Sequence, residues 1–183
     1  MWITLKNLTK TNIFEMILEF VSSTFSKFSR FLWINLSTIL NSITMINQVL
    51  LIDDDAINNF LNEKIIIASQ LAQEVTTFIR AEDAIHYLEE TCVQQKSKCP
   101  ELILLDISMP HLDGFDFIQI YNKLKIKKEN TTIAILTSSD DERDVRKVRA
   151  MGIEHYLVKP LDLSAFSKLL DKISNNNKLS LTA

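Results

Sequence analysis

Residues 101–106 read ELILLD, and this stretch decides the fold. Four apolar residues stand in an unbroken run, and the run ends at Asp106. A short apolar run of this kind is typical of a parallel strand that is buried on both faces. Residues 133–136, IAIL, repeat the pattern and are followed by Thr137 and Ser138. Because a parallel sheet needs helices on both faces, the two runs predict an α/β fold.

Short apolar runs alternate with longer amphipathic stretches from residue 47 onward. Strands are predicted at 48–53, 74–79, 101–106, 132–137 and 154–158. Helices are predicted near 56–71, 81–95, 114–126, 140–151 and 162–175. This alternation is typical of βα units. We therefore predict one domain over residues 47–175, a five-stranded doubly wound parallel sheet flanked by five helices, with residues 176–183 as a C-terminal tail. In the first helix, Phe60 and Leu61 are expected to face the core.

Residues 1–46 differ in composition from the rest of the chain. They carry only six charged side chains, and apolar residues recur at helical spacing from Ile13 to Leu32. This spacing is typical of an amphipathic helix, so we predict a helical or disordered N-terminal extension. Three alternatives stay open: contact with a membrane surface, a span over the uncharged stretch 31–52, and a natural start at Met45.

Composition and charge exclude several classes of protein. The formal charge of −3 and the pI near 5.6 give no general attraction to nucleic acid, so none is expected as a direct partner. The two glycines exclude Gly-rich phosphate loops. Cys92 and Cys99 have no metal-ligand spacing and cannot build a disulfide framework, so reduced thiols and a cytoplasmic location are the simplest expectation.

Polar side chains follow the predicted strands at their carboxyl ends. Asp53 and Asp54 follow the first strand, Asp106 ends the third, Thr137 ends the fourth and Lys159 follows the fifth. In open α/β sheets the ligand site forms at this edge. Three carboxylates in one cleft need a compensating cation, and oxygen ligands favour Mg²⁺ or Mn²⁺. A lysine and a hydroxyl beside that ion suit a phosphoryl group.

Four stretches together resemble the receiver domain of bacterial two-component response regulators, in its stand-alone, single-domain form. They are LLIDDD at 50–55, LDISMPHLDG at 105–114, ILTS at 135–138 and YLVKP at 156–160. The resemblance covers roughly residues 47–175. It implies a flavodoxin-like strand order of 2-1-3-4-5, and a signalling domain that catalyses only its own phosphorylation and dephosphorylation.

The resemblance also implies roles for the residues around the phosphoryl site. Asp106 is expected to accept a phosphoryl group, forming an acyl phosphate. Asp54, Asp106 and the backbone carbonyl of Ser108 are expected to bind Mg²⁺, with Asp53 holding a metal-bound water. Lys159 is expected to bind a phosphoryl oxygen.

Three further residues are implied to respond to phosphorylation or to shape the site. Thr137 is expected to move toward the phosphoryl group, and the rotamer of Tyr156 to follow as a switch. The Lys159–Pro160 bond is expected to be cis, an isomer found in only about 5–6% of X–Pro bonds.

The implied partners are a sensor histidine kinase or histidine phosphotransfer protein as phosphodonor, and an unknown output protein. The donor is expected to meet the first helix near Asn58, Asn59 and Asn62. The output surface is expected on the fourth helix, fifth strand and fifth helix. Its expected residues are Arg143, Lys147, Val148, Tyr156 and Phe166.

Two other functions are weighed against this one. The first is a receiver-like module used only for interaction, without phosphorylation. The second is a phosphatase of the haloacid-dehalogenase type, with Asp53 as nucleophile and Asp55 as acid. The residues after Asp55 are Ala56 and Ile57, which lack the glycine that the phosphatase motif has there.

Overall fold

The structure is a computed structural model, and it describes residues 45–94, 99–128, 131–138 and 141–180, with the backbone alone for residues 93, 94 and 175–180. The chain divides into two units, residues 1–43 and 44–183. The predicted amphipathic helix of the N-terminal extension lies outside the described residues. No helix in the described part of the chain is long and apolar enough to cross a bilayer.

Five strands and five helices alternate along the second unit, as the sequence predicts. The strands are β1 (Ile46–Ile52), β2 (Ala72–Phe78), β3 (Leu102–Leu105), β4 (Thr132–Thr137) and β5 (His155–Val158). The helices are α1 (Ala56–Ala68), α2 (Ala81–Gln94), α3 (Gly114–Lys123), α4 (Glu142–Ala150) and α5 (Leu163–Ser180). Most bounds lie within three residues of the prediction. The exception is α5, which continues through the first part of the predicted tail because no Gly or Pro interrupts residues 175–180.

All five strands are parallel, in the order β2-β1-β3-β4-β5. This is the order that the resemblance implied. The chain returns across β1 between β2 and β3, so the strand order reverses between β1 and β3. In such a sheet the ligand site forms outside the carboxyl ends of the strands at the reversal.

The apolar runs in the central strands fill two cores, one on each face of the sheet. Leu50 and Ile103 lie on one face, which packs against α2, α3 and α4. Leu51 and Leu104 lie on the other face, which packs against α1 and α5. These four side chains are at most 1% exposed. An unbroken apolar run is therefore needed, because alternate residues enter different cores.

Aspartates cap several of the helices at the edge where the strands end. Asp55, Asp113 and Asp141 are the N-caps of α1, α3 and α4, and each accepts a hydrogen bond from a backbone N–H of the first turn. Asp162 accepts from the N–H of Ala165, at 2.9 Å, where α5 begins. These carboxylates satisfy amide groups that a helix leaves unpaired.

The two cysteines are joined, which corrects the expectation of free thiols. Cys92, in the last turns of α2, forms a disulfide with Cys99, just before β3, and their Cα atoms are 4.9 Å apart. The sequence separation of seven residues gave no sign of this contact.

Candidate functional site

The carboxyl ends of neighbouring strands are fastened to one another by backbone hydrogen bonds. The N–H of Asp53 donates to the carbonyl of Phe78 at 3.1 Å, and the N–H of Asp106 to the carbonyl of Ile52 at 2.8 Å. At the other side of the edge, the N–H of Lys159 donates to the carbonyl of Thr137 at 2.8 Å. The functional side chains predicted from the sequence therefore project from one connected edge of the sheet.

Three carboxylates converge at the point where the strand order reverses. One oxygen from each of Asp53, Asp54 and Asp106 lies within 4.8 Å of the others. Asp53 and Asp106 are buried, at 4% and 6% exposure, whereas Asp54 faces solvent. Hard divalent cations prefer oxygen ligands of this kind. The donor set therefore fits Mg²⁺ or Mn²⁺, as the sequence predicted.

Lys159 balances part of this negative charge. Its Nζ lies 2.6 Å from Oδ2 of Asp53 and 2.6 Å from Oδ2 of Asp106. Burial lowers the pKa of Lys159, but the hydrogen bonds to Asp106 and Asp53 outweigh it, so the pKa is raised. Lys159 is therefore protonated throughout the neutral range.

Asp53 and Lys159 respond to burial in opposite directions. Burial raises the pKa of Asp53, and the hydrogen bond from Lys159 reduces the shift without reversing it. Both effects have the same physical cause, since a buried site disfavours the charged form of either group. The site holds its acids close together only because a cation lies between two of them.

The loop after β3 holds Asp106 through backbone groups. The N–H of Ser108 donates to Oδ1 of Asp106 at 3.2 Å, and the N–H of Gly114 donates to the carbonyl of Ile107 at 3.0 Å. A Cβ on Gly114 would lie 2.5 Å from the carbonyl oxygen of Asp106. Only glycine lets α3 begin this close to the loop.

Thr137 and Tyr156 lie on the neighbouring strands β4 and β5. Thr137 ends β4 and is 1% exposed. Tyr156 lies in β5 opposite Ile135, is half-buried, and packs against the core that holds α2, α3 and α4. The Lys159–Pro160 bond that follows β5 is cis, as expected.

The prediction of the two partner surfaces is wrong for four of the residues that it named. Asn59 and Asn62 are buried beneath α1, at 3% and 6% exposure. Val148 and Phe166 belong to the two cores, at 1% and 0%. Each of these residues lies on the face of its helix that meets the sheet, and no partner reaches it there.

The exposed face of α1 is apolar, which the sequence reasoning missed. Ile57, Phe60 and Leu61 are 70%, 56% and 52% exposed. Phe60 and Leu61 were expected in the core because they recur at helical spacing, but that spacing alone does not say which face of the helix is buried.

An open cleft of about 580 Å³ lies at the edge of the sheet where the strands end. Residues that follow β1, β2 and β3 line it, among them Asp54, Arg80 and Met109.

Comparison with known proteins agrees with this architecture. Residues 49–171 match the family model of the response regulator receiver domain. A two component response regulator from Cytophaga hutchinsonii has a similar crystal structure, with a TM-score of 0.66 and 34% identity, covering 72% of this chain and 98% of that one. A response regulator receiver protein from Dyadobacter fermentans has a TM-score of 0.62 and 28% identity, covering 70% and 97%.

Among curated proteins, the chain is similar to the Probable C4-dicarboxylate response regulator DctR of Halalkalibacterium halodurans. The two are 29% identical over 99 residues, which is 50% of this chain and 42% of that protein. The chain thus matches less than half the length of this relative. The family match covers β2 to β5, β1 from Val49 onward, and the acidic edge described above. The chain belongs to the response regulator receiver domain family.

Proposed function

We propose that Asp106 accepts a phosphoryl group in a Mg²⁺-dependent reaction, and that the acyl phosphate switches or relays to a partner protein. The observation that carries this proposal is the convergence of Asp53, Asp54 and Asp106 with Lys159 placed between two of them at 2.6 Å. A signalling domain of this kind acts on itself and is not an enzyme with a separate substrate.

The transfer is a displacement at phosphorus. A carboxylate oxygen of Asp106 forms a bond to the phosphorus of a phosphohistidine, and the bond from phosphorus to the histidine nitrogen breaks. The nitrogen keeps that electron pair and takes a proton. In this reaction the protein mainly positions the groups and offsets the negative charge that spreads over the phosphoryl oxygens.

Each neighbouring residue has a part in that displacement. Asp54, Asp106 and the carbonyl of Ser108 would hold Mg²⁺, with Asp53 acting through a metal-bound water. The ion supplies positive charge against the phosphoryl oxygens when it is bound. Lys159 exchanges its bond with Asp106 for one with a phosphoryl oxygen.

Phosphorylation is read out through Thr137 and Tyr156. The Thr137 hydroxyl turns to donate to a phosphoryl oxygen, which vacates space at the end of β4. Tyr156, half-buried in the adjacent strand, then changes rotamer. The surface that changes lies on α4, β5 and α5, where Arg143 and Arg149 are exposed, and it meets an output protein rather than nucleic acid.

The phosphodonor is a sensor histidine kinase or a histidine phosphotransfer protein, and it meets the apolar face of α1. Ile57, Phe60 and Leu61 follow the acidic residues directly in the chain and stay exposed. Apolar patches of this kind on otherwise polar surfaces mark sites of protein contact. The proposed location is the cytoplasm, where such donors act.

The test is the intact mass of the full chain after incubation with acetyl phosphate and Mg²⁺. The wild-type chain is expected to gain one phosphoryl group, and the gain is expected to disappear with EDTA or in Asp106→Asn. A folded wild-type chain that binds Mg²⁺ but gains no phosphoryl group would favour the interaction-only module. Multiple turnover of a small phosphate ester, lost in Asp53→Asn but kept in Asp106→Asn, would favour the phosphatase.

A further inference from the structure

The side chain of Asn59 is hydrogen-bonded to the backbone of the acidic loop from inside the protein. Its Nδ2 donates to the carbonyl of Asp53 at 2.8 Å and to the carbonyl of Phe78 at 3.0 Å. Asn59 is 3% exposed, in the first turns of α1. Two carbonyl oxygens at these distances require the NH₂ group there, so the backbone fixes which way the amide points.

The Asp53 carbonyl belongs to the peptide unit that joins Asp53 to Asp54. Because that unit is planar, fixing its carbonyl also fixes the directions in which both Cα atoms leave it. The carboxylate of Asp53 is held separately, since its Oδ1 accepts from the N–H of Asp55 at 3.0 Å. The Asn59 amide therefore sets the peptide that carries two of the three acids.

The second bond of the amide extends this restraint to the neighbouring strand. Phe78 ends β2, and its carbonyl accepts from both the Asn59 amide and the N–H of Asp53. One side chain thus holds the ends of β1 and β2 together where the acids begin. The Oδ1 of Asn59 is buried without a hydrogen-bond partner among the described residues. Leaving a buried acceptor unpaired costs free energy, so the two donated bonds are what favours asparagine here.

We propose that Asn59 is a positioning residue for the divalent cation, which it serves by holding the Asp53–Asp54 peptide so that both carboxylates converge with Asp106. This inference rests on the proposed function for the identity of the ion. Asn59 does not touch the ion or the reacting atoms. Side chains that orient metal ligands in this way change metal affinity by roughly 10- to 100-fold when they are replaced.

The test is the Kd for Mg²⁺ of the full chain, measured by isothermal titration calorimetry without any phosphodonor. Asn59→Leu keeps the number of side-chain heavy atoms and the branching at Cγ and removes both donated bonds, and its Kd is expected to rise roughly tenfold or more. Asn62→Leu is the matched control, because Asn62 is buried one turn further along α1, at 6% exposure. The described part of the chain shows no side-chain hydrogen bond from Asn62 to the acidic loop. The Kd of this control is expected to stay unchanged.

Equal Kd values for Asn59→Leu and the wild type would overturn the inference, as would equal increases in both variants. If Asn59→Leu does not fold, as judged by circular dichroism, Asn59→Ser replaces it, since a serine hydroxyl is too short to reach both carbonyls. A wild-type chain that does not bind Mg²⁺ would overturn the inference together with the metal site. A wild-type chain that binds Mg²⁺ but gains no phosphoryl group would contradict the proposed function alone, and the comparison of Kd values would still decide the role of Asn59.

Discussion

Lys159 is the cation that lies between two buried carboxylates, those of Asp53 and Asp106. Its side chain is 10% exposed, and those of Asp53 and Asp106 are 6% and 7% exposed. Replacing Lys159 with Met keeps much of the apolar stem and removes the charge, which leaves both acids without their cation. We expect Lys159→Met to lower the free energy of unfolding by roughly 1.5–3 kcal/mol in metal-free buffer. Thermal unfolding followed by circular dichroism measures the change.

The control is the same measurement with saturating Mg²⁺. If the acids form the metal site, the ion restores part of the lost stability in Lys159→Met, because it replaces the missing positive charge. Two results would contradict this account of Lys159. One is a Lys159→Met variant whose free energy of unfolding does not change with Mg²⁺, and the other is a variant as stable as the wild type in metal-free buffer.

His155, at the start of β5, gives a pH dependence near neutrality. Burial lowers its pKa from the usual 6.5, Glu154 opposes the shift, and Lys172 adds to it. The unfolded chain therefore binds the proton more readily than the folded chain does. By linkage, the stabilisation is complete above pH 6.5 and is lost as pH falls below it, toward the lowered pKa of the folded chain.

We expect the wild type to lose stability relative to His155→Gln between about pH 8 and pH 5. The difference between the melting temperatures of the two proteins, measured across this range, tests the expectation. A constant difference would mean that His155 titrates alike in the folded and unfolded chains.

At the scale of single residues, the sequence predicted the charged side chains of the site, but it did not predict the role of Asn59, which lies beneath them. Asp53, Asp54, Asp106 and Lys159 were predictable because parallel strands end at one edge, so their last residues must meet. The role of Asn59 was not predictable, because it depends on which face of α1 turns inward. An asparagine is usually exposed, and only the positions of two backbone carbonyls show why this one is buried.

The helix α1 shows what periodicity leaves undetermined at the scale of an element. Its existence and length were predicted to within three residues, but the wrong face was assigned to the core. The buried residues are Asn59, Asn62 and Ile66, whereas Phe60 and Leu61 face outward. Both faces recur at helical spacing. The backbone carbonyls of Asp53 and Phe78 need polar partners, and this need places Asn59 inside.

The disulfide between Cys92 and Cys99 ties the end of α2 to the start of β3, at the edge of the sheet opposite the acids. It closes a short loop, so it restricts the unfolded chain only modestly. We expect reduction to lower the free energy of unfolding by about 2–3 kcal/mol. The melting temperature is then expected to fall by roughly 5–12 °C.

Thermal unfolding with and without a reductant measures this effect, and a variant with Cys92→Ser and Cys99→Ser is the control that no reductant should change. Alkylation of both cysteines in the untreated, denatured chain would show that the bond is absent. The phosphoryl gain from acetyl phosphate is expected to be the same in both states, since the bond lies far from Asp106.

The architecture of the second unit follows from the order of its strands. The alternation of elements predicted a parallel sheet, but it did not give the order 2-1-3-4-5, which came from the resemblance to receiver domains. That order places α1 and α5 on one face and the other three helices on the opposite face. It also places the start of α1 directly after the acidic residues, which is why we propose that the phosphodonor meets the apolar face of this helix.

We expect Phe60→Ser and Leu61→Ser to slow phosphoryl transfer from a phosphorylated histidine phosphotransfer protein at least several-fold. Transfer from acetyl phosphate is expected to be unchanged, because a small donor needs no docking surface. Ile67→Ser is the matched control: Ile67 is also exposed on α1, at 42%, but lies about 9–10 Å further along the helix than Leu61 and Phe60. Equal rates for all three variants with the protein donor would contradict this docking surface.

The most direct test of the central claim is to identify the residue that carries the phosphoryl group. The full chain is incubated with acetyl phosphate and Mg²⁺ and then treated with borohydride, which reduces an acyl phosphate to an alcohol and so converts an aspartyl phosphate to homoserine. Peptide mass spectrometry locates the change. The account predicts homoserine at position 106, dependent on Mg²⁺ and on the phosphodonor. Conversion at Asp53 or Asp54 instead, or at no aspartate in a folded chain that binds Mg²⁺, would contradict it.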